Sequence, residues 1–285
     1  MAAVGGADVR SGARALRRGP ALLVLVCAVL FAALATTVGV RHGAPLPGDG
    51  AAHDWALRHR PPVAQALGRG ITASGTGVWP YLIVLVAGLV AGRDARERVR
   101  AVGCALAVLI AGQLVRTGLM ELFARPRPPV ADWAVNASGF AFPSGHATTS
   151  ALTAGLLCWA VTRHTRRDLA RTTCVVAAAW AAAVGLSRIY LGVHWASDVL
   201  GGWLLATVWL GLSWWWLGRW LPPTSVDGGG RRSSGTAPET DGPTSPPSAP
   251  DPAPAPTDAS GTPPAPPPTS PQPPTEDHAP QDPGR

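Results

Sequence analysis

The sequence predicts an all-α, polytopic membrane protein, a bundle of six membrane-spanning helices with a disordered C-terminal tail. Three observations predict it. Of the 285 residues 47% are hydrophobic and only 14% charged, with twelve tryptophans, which is too apolar for an ordinary water-soluble domain. Apolar runs of about the length that crosses a bilayer recur between residues 21 and 220, separated by arginine clusters or by proline-rich turns. From 221 to 285 the chain is Pro, Ser, Thr, Gly, Ala and Asp with almost no large apolar side chain, so it cannot offset the entropy of ordering.

Residues 1–20 form an N-terminal tail whose Arg10, Arg14, Arg17 and Arg18 precede the apolar run Ala21 to Val40. That run is about 20 residues long, a retained span and longer than a signal-peptide core. Arg41 to Gly75 mixes Trp55, Leu57, Val63 and Leu67 with Arg58, Arg60 and Arg69, as in a short amphipathic helix lying in the interface. The second span runs from Val78 to Ala91, extends back toward Gly75, and ends at Arg93, Arg96, Arg98 and Arg100. The third runs from Ala101 to about Leu119, followed by an irregular loop through Arg125-Pro126-Arg127-Pro128-Pro129 to Pro143, where proline forbids helix. The fourth starts just after His146 and runs to Val161, the fifth covers Thr172 to about Leu186, and the sixth covers Val199 to Leu217. Trp214, Trp215, Trp216 and Trp220 form an aromatic belt at the end of the sixth. The span domain therefore covers 21–220.

With six spans both termini fall on one side, together with the arginine clusters at 93–100 and 163–171, and the positive-inside rule makes that side the cytoplasm of a multi-pass cell-membrane protein. There is no lysine, so all 24 basic residues are arginine, a compositional bias rather than a functional choice. No nucleic-acid partner is expected, and the oligomeric state is left open. Cys27, Cys104, Cys158 and Cys174 stand singly in apolar segments and read as small buried hydrophobes. Pro-x-x-Pro spacings in the tail arise by chance at this proline content.

Under this topology Arg125, Arg127, Ser144, His146, Arg188, His194 and Asp198 all reach the outer end of spans three to six. Arginine forks match phosphate oxygens, and Ser144, Gly145 and His146 stand where a helix start offers free N–H groups to an anion. His194 and Asp198 are four apart, so the carboxylate can hold the imidazole in one tautomer as a nucleophile, with His146 as an acid for the leaving oxygen. The arrangement requires no metal and no cofactor. Taken singly, Ser144 reads equally as a helix N-cap and each histidine as an interfacial residue; their convergence, and Arg188 closing an apolar run on the arginine-poor side, favour a phosphate site.

Arg127-Pro128, Pro143-Ser144-Gly145-His146, and Ser187-Arg188 through His194 to Asp198 resemble the three-part signature of the type 2 phosphatidic acid phosphatase superfamily. The resemblance covers about Asp54 to Trp216. It implies a phosphatase acting on a lipid phosphate or polyprenyl diphosphate at the outer leaflet, a bacterial polyprenyl diphosphate being the first substrate it suggests. It also implies His194 as a nucleophile forming a phosphohistidine, Asp198 as its partner and His146 as the acid. Arg127, Ser144, Gly145 and Arg188 would hold the phosphate oxygens, with Arg125 at a position often basic in the family. The family's first motif has a lysine seven residues before the arginine, where this chain has Met120; Arg116, one turn earlier on the same face, is expected to supply the missing cation by snorkelling upward. The alternatives are a phosphotransferase that passes the phosphoryl group to an alcohol, and a catalytically weak membrane binding or scaffold protein, for which Met120 is the support.

Overall fold

The computed structural model describes residues 5–220, with side chains described from 19 to 214. The expected tail at 221–285 and the side chains of the belt residues Trp215, Trp216 and Trp220 lie outside what is described. Eight α-helices follow in order: α1 Gly5–Val40, α2 Asp49–Arg58, α3 Pro62–Ser74, α4 Trp79–Ala91, α5 Ala95–Phe123, α6 Gly145–His164, α7 Arg167–Tyr190 and α8 Ala196–Trp220. A 3-10 turn, Val130–Asp132, interrupts the loop between α5 and α6.

Among the described residues four segments are long and apolar enough to cross a membrane, Gly19–Val40, Ala95–Phe123, Arg167–Tyr190 and Ala196–Trp214, and the bent pair α3 and α4 makes a fifth. The expected count of six is therefore not reached on apolarity, and the missing one is α6. Its first half is rich in Thr148, Thr149, Ser150 and Thr153, which lowers its hydropathy. Those hydroxyls donate back along the helix, Thr148 to the Ser144 carbonyl at 2.9 Å and Thr153 to that of Thr149 at 2.8 Å, and Ser150 also reaches the Ala181 carbonyl of α7. Because α6 packs against α4, α5, α7 and α8, it meets protein where the other helices meet lipid, and polar groups are tolerated there.

Helix α1 starts at Gly5 and runs through Pro20, and its apolar, membrane-length part is Gly19–Val40. One local expectation is corrected. The single interfacial helix over 41–75 is two helices, divided at Pro61-Pro62, with Pro62 opening α3 where a missing N–H costs nothing. At 13 residues α4 is too short to span alone; it continues α3 across a 49° break at Gly75-Thr76-Gly77-Val78.

Val84, Leu109, Leu152, Leu156, Ala206 and Leu210 make the central apolar cluster between α4, α5, α6 and α8. Large apolar side chains such as Leu22, Leu25, Val29, Val175 and Val176 point outward from α1 and α7, the surface a bilayer covers. Buried charge gathers at one end of the bundle, where α5 and α7 finish and α6 and α8 begin. Backbone bonds tie these ends together: Ser144 N to Asp198 O at 3.0 Å, and Ala141 N to Arg125 O at 2.8 Å. The loop before α6 lies directly on α8, where a side-chain carbon on Gly202 would stand 2.8 Å from the Ser144 carbonyl oxygen. Glycine is needed there for the approach, not for its φ.

Candidate active site

A cavity of about 580 Å³ opens at that end, within the range of small-ligand sites. Arg116 of α5, Arg127 of the following loop, Gly145 and His146 of α6, Arg188 of α7 and His194 before α8 all line it, and Gly75 to Gly77 at the α3–α4 break close one side. Segments far apart in sequence are thus brought to one volume.

His194 follows a turn at Gly192, whose φ of 76° suits glycine, and is 1% exposed. Its Nδ1 lies 3.4 Å from Asp198 Oδ2, and its Nε2 lies 2.9 Å from Arg127 Nη1. A guanidinium only donates, so Nε2 is the acceptor and the proton sits on Nδ1, facing the carboxylate. Burial, and after it the positive charges of Arg127, Arg188 and Arg116, hold the imidazole well below its ordinary pKa. The result is a neutral ring at the cavity wall whose Nε2 lone pair is held by Arg127. Asp198 is fixed on both oxygens, Oδ1 by Arg125 Nη1 at 2.6 Å and Oδ2 by the Trp195 N–H at 2.9 Å.

The four arginines differ. Arg127 donates to the carbonyls of Gly139, Val193 and Ser138 at 2.8–2.9 Å and to His194, which locks its plane and leaves one Nη2 hydrogen over. Burial lowers its pKa, and the Asp198 charge offsets part of that. Arg188 is 3% exposed, donates from Nη1 to Thr72 Oγ1 at 2.9 Å, and has a buried Nε without a protein partner. Arg116 donates from Nε to the Pro143 carbonyl at 2.9 Å. A side-chain carbon on Gly145 would come within 2.8 Å of the Arg116 guanidinium carbon, so the cation stands against the start of α6. Met120 does not line the cavity; it is buried with its thioether beside Gly139.

Arg125 corrects the expectation of a phosphate ligand. All five of its N–H donors are taken, by the Gly43 and Ala44 carbonyls, Ser197 Oγ, Asp198 Oδ1 and Asp49 Oδ2, and it is fully buried away from the cavity wall. The left-handed Ala124 (φ 44°) ends α5 just before it. Ser144 is at the N-cap of α6 but its hydroxyl makes no cap bond; it is buried with no protein partner, and it is not part of the cavity wall. Sequence reasoning missed Asp49 and Thr72, both buried and both joined to site arginines. The only signal for Asp49 was an acidic residue at a helix start in an otherwise basic stretch; Thr72 carried none.

Residues 101–222 match the model of a family described as the PAP2 superfamily. Phosphatidylglycerophosphatase B of Bacillus subtilis (strain 168) is 30% identical over an alignment of 192 residues that covers 65% of this chain and 88% of that protein. The crystal structure of a transmembrane PAP2 type phosphatidylglycerolphosphate phosphatase from Bacillus subtilis superposes with a TM-score of 0.59 at 24% identity, covering 69% of this chain and 96% of that one. Fold, motif residues and relatives agree: the chain belongs to the PAP2 superfamily and is a membrane phosphatase of that type.

Proposed function

We propose that the protein removes the terminal phosphate of a lipid phosphate through a covalent phosphohistidine on His194. The observation that carries this reading is His194 Nε2, an acceptor held by Arg127 at the wall of a cavity that Arg116, Arg127 and Arg188 also line. The phosphate enters among the three arginines and the free N–H groups of the first turn of α6, and Arg127 exchanges its contact with Nε2 for a phosphate oxygen. Nε2 attacks phosphorus, an N–P bond forms, and the P–O bond to the lipid breaks as His146, which takes up a proton once the phosphate's negative charge is beside it, gives that proton to the leaving oxygen. Asp198 holds the charge that develops on His194. Water then attacks phosphorus, neutral His146 takes its proton, and inorganic phosphate and free His194 return. None of these steps calls on a metal.

The name of the curated relative supports phosphatidylglycerol phosphate as substrate ahead of the polyprenyl diphosphate first expected. In this reading α1, the α3–α4 pair, α5, α6, α7 and α8 are six spans, the arginine clusters mark the cytoplasmic side, and the cavity faces the outer leaflet. Phosphate release in detergent with EDTA tests the reading, with phosphatidylglycerol phosphate, phosphatidate and undecaprenyl diphosphate compared. His194→Ala is expected to lose release from all three. Activity persisting in that variant, or strictly needing Mg²⁺, overturns the mechanism, and fastest turnover of the diphosphate reverses the substrate order.

A further inference from the structure

Asp49 belongs to none of the three motifs and does not line the cavity, yet it is 2% exposed and accepts four hydrogen bonds. Its Oδ1 accepts from the Ser197 N–H at 2.9 Å; its Oδ2 accepts from Ser197 Oγ at 2.6 Å, Arg125 Nη2 at 2.8 Å and the Leu46 N–H at 2.8 Å. Burial pushes its pKa up, but the bonds from Ser197, Leu46 and Arg125 outweigh that and hold it below the ordinary carboxylate value. Ser197 is the second residue of α8, so its N–H has no partner inside the helix. Asp49 therefore caps α8 from α2, with its charge at the favourable end of the helix dipole.

The same guanidinium carries the contact onward. Arg125 holds Asp49 with Nη2 and Asp198 with Nη1. Asp198 in turn faces the proton-bearing nitrogen of His194. From Asp49 through Arg125 and Asp198 to His194 every member is at most 2% exposed, so solvent screens none of these charges. Arg125 and Asp198 alone would form a pair of zero net charge beside the imidazole that takes up the phosphoryl group. With Asp49 added, the three charged groups sum to −1, and that negative charge stays available at the imidazole.

We propose that Asp49 is a positioning residue for phosphoryl transfer: it holds one fork of Arg125 and the first turn of α8, and thereby keeps Asp198 aligned on His194. The inference rests on His194 acting as the nucleophile. It assigns α2 a part in catalysis, in place of the purely interfacial role its composition suggests.

The test compares kcat, KM and inhibition by orthovanadate, a phosphate analogue, in the full-length protein. Asp49→Asn keeps the shape and removes the charge; Asp49→Glu keeps the charge. Each is made alone and with Asp198→Asn, and folding is followed by tryptophan fluorescence. Asp49→Asn is expected to lower kcat about tenfold or more, as for groups that orient a reactive ligand from behind, and Asp49→Glu to regain part of it. KM and the vanadate inhibition constant should stay within about twofold, and in the Asp198→Asn background Asp49→Asn should change the residual rate by less than about twofold. If Asp49→Asn does not fold, Asp49→Glu carries the same comparison through its displaced carboxylate. Unchanged kcat, a KM that rises in step with the fall in kcat, or a full independent loss in the Asp198→Asn background overturns the inference. Retained activity in Asp49→Asn while His194→Ala is inactive overturns this inference alone, whereas an active His194→Ala overturns the proposed function and this with it.

Discussion

Arg116 reaches from α5 to the turn before α6, its Nε donating to the Pro143 carbonyl at 2.9 Å and its guanidinium resting against Gly145. The chain thus places a cation beside the first turn of α6 although the family's lysine position is Met120. In the proposed site Arg116→Ala is expected to lower kcat/KM about 10–100-fold, the range for losing a hydrogen bond to a charged group in a desolvated site. Arg116→Lys should recover part of it. Steady-state kinetics in detergent check this, and an unchanged kcat and KM in Arg116→Ala would remove Arg116 from the site.

Gly145 follows from the same contact. A methyl group there would meet the Arg116 guanidinium at 2.8–3.1 Å, the mobile end of a side chain, so the cation moves and the backbone does not. Gly145→Ala is expected to cost about as much activity as Arg116→Ala, since it displaces the same group, and to cost little more once Arg116 is already alanine. Additive losses in the double variant would mean that the added carbon collides with the phosphate itself.

Thr72 gives Arg188 its hydrogen bond across from α3, at 2.9 Å, and both are buried. Thr72→Val preserves shape and leaves a buried charged donor unmet. A loss of about 1–3 kcal/mol of stability is expected, together with weaker vanadate inhibition, because Arg188 is no longer aimed. Saturating vanadate should restore part of the lost thermal stability by giving Arg188 a new acceptor. Thermal unfolding with and without vanadate measures both effects.

Much of this arrangement was legible in the sequence, and the exceptions have physical causes. Helices α5, α7 and α8 follow their apolar runs because lipid-facing and core-facing sides are both apolar, so composition alone marks them. The motif residues His146, Arg188 and His194 reach one cavity because each stands at the end of such a run. Arg125 and Arg127 could not be separated, since Arg-Pro-Arg-Pro has the same local chemistry at both arginines. What separates them is Asp49, 76 positions away and joined to Arg125 at 2.8 Å. The α3–α4 break was read as the start of a span because Gly75-Thr76-Gly77 is short enough to pass for a helix interruption. That α6 sits inside the bundle depends on its neighbours, which its own threonines do not disclose.

The pH dependence of stability isolates His194. Burial and the three arginines hold its folded pKa well below about 6.5, the value it takes in the unfolded chain. Below pH 6.5 the unfolded state therefore binds a proton that the folded state refuses. Stability contributed by the neutral ring is fully present above pH 6.5 and falls as pH drops, by at most about 1.4 kcal/mol per pH unit for one proton. His194→Asn removes this proton and leaves Asp49, Asp198 and the other carboxylates to titrate as before. Wild type should therefore lose stability faster than His194→Asn between pH 6.5 and 5, and the two should run parallel above pH 7.5. Parallel curves throughout would mean that His194 takes up its proton as readily folded as unfolded, which a ring 1% exposed beside Arg127 cannot do.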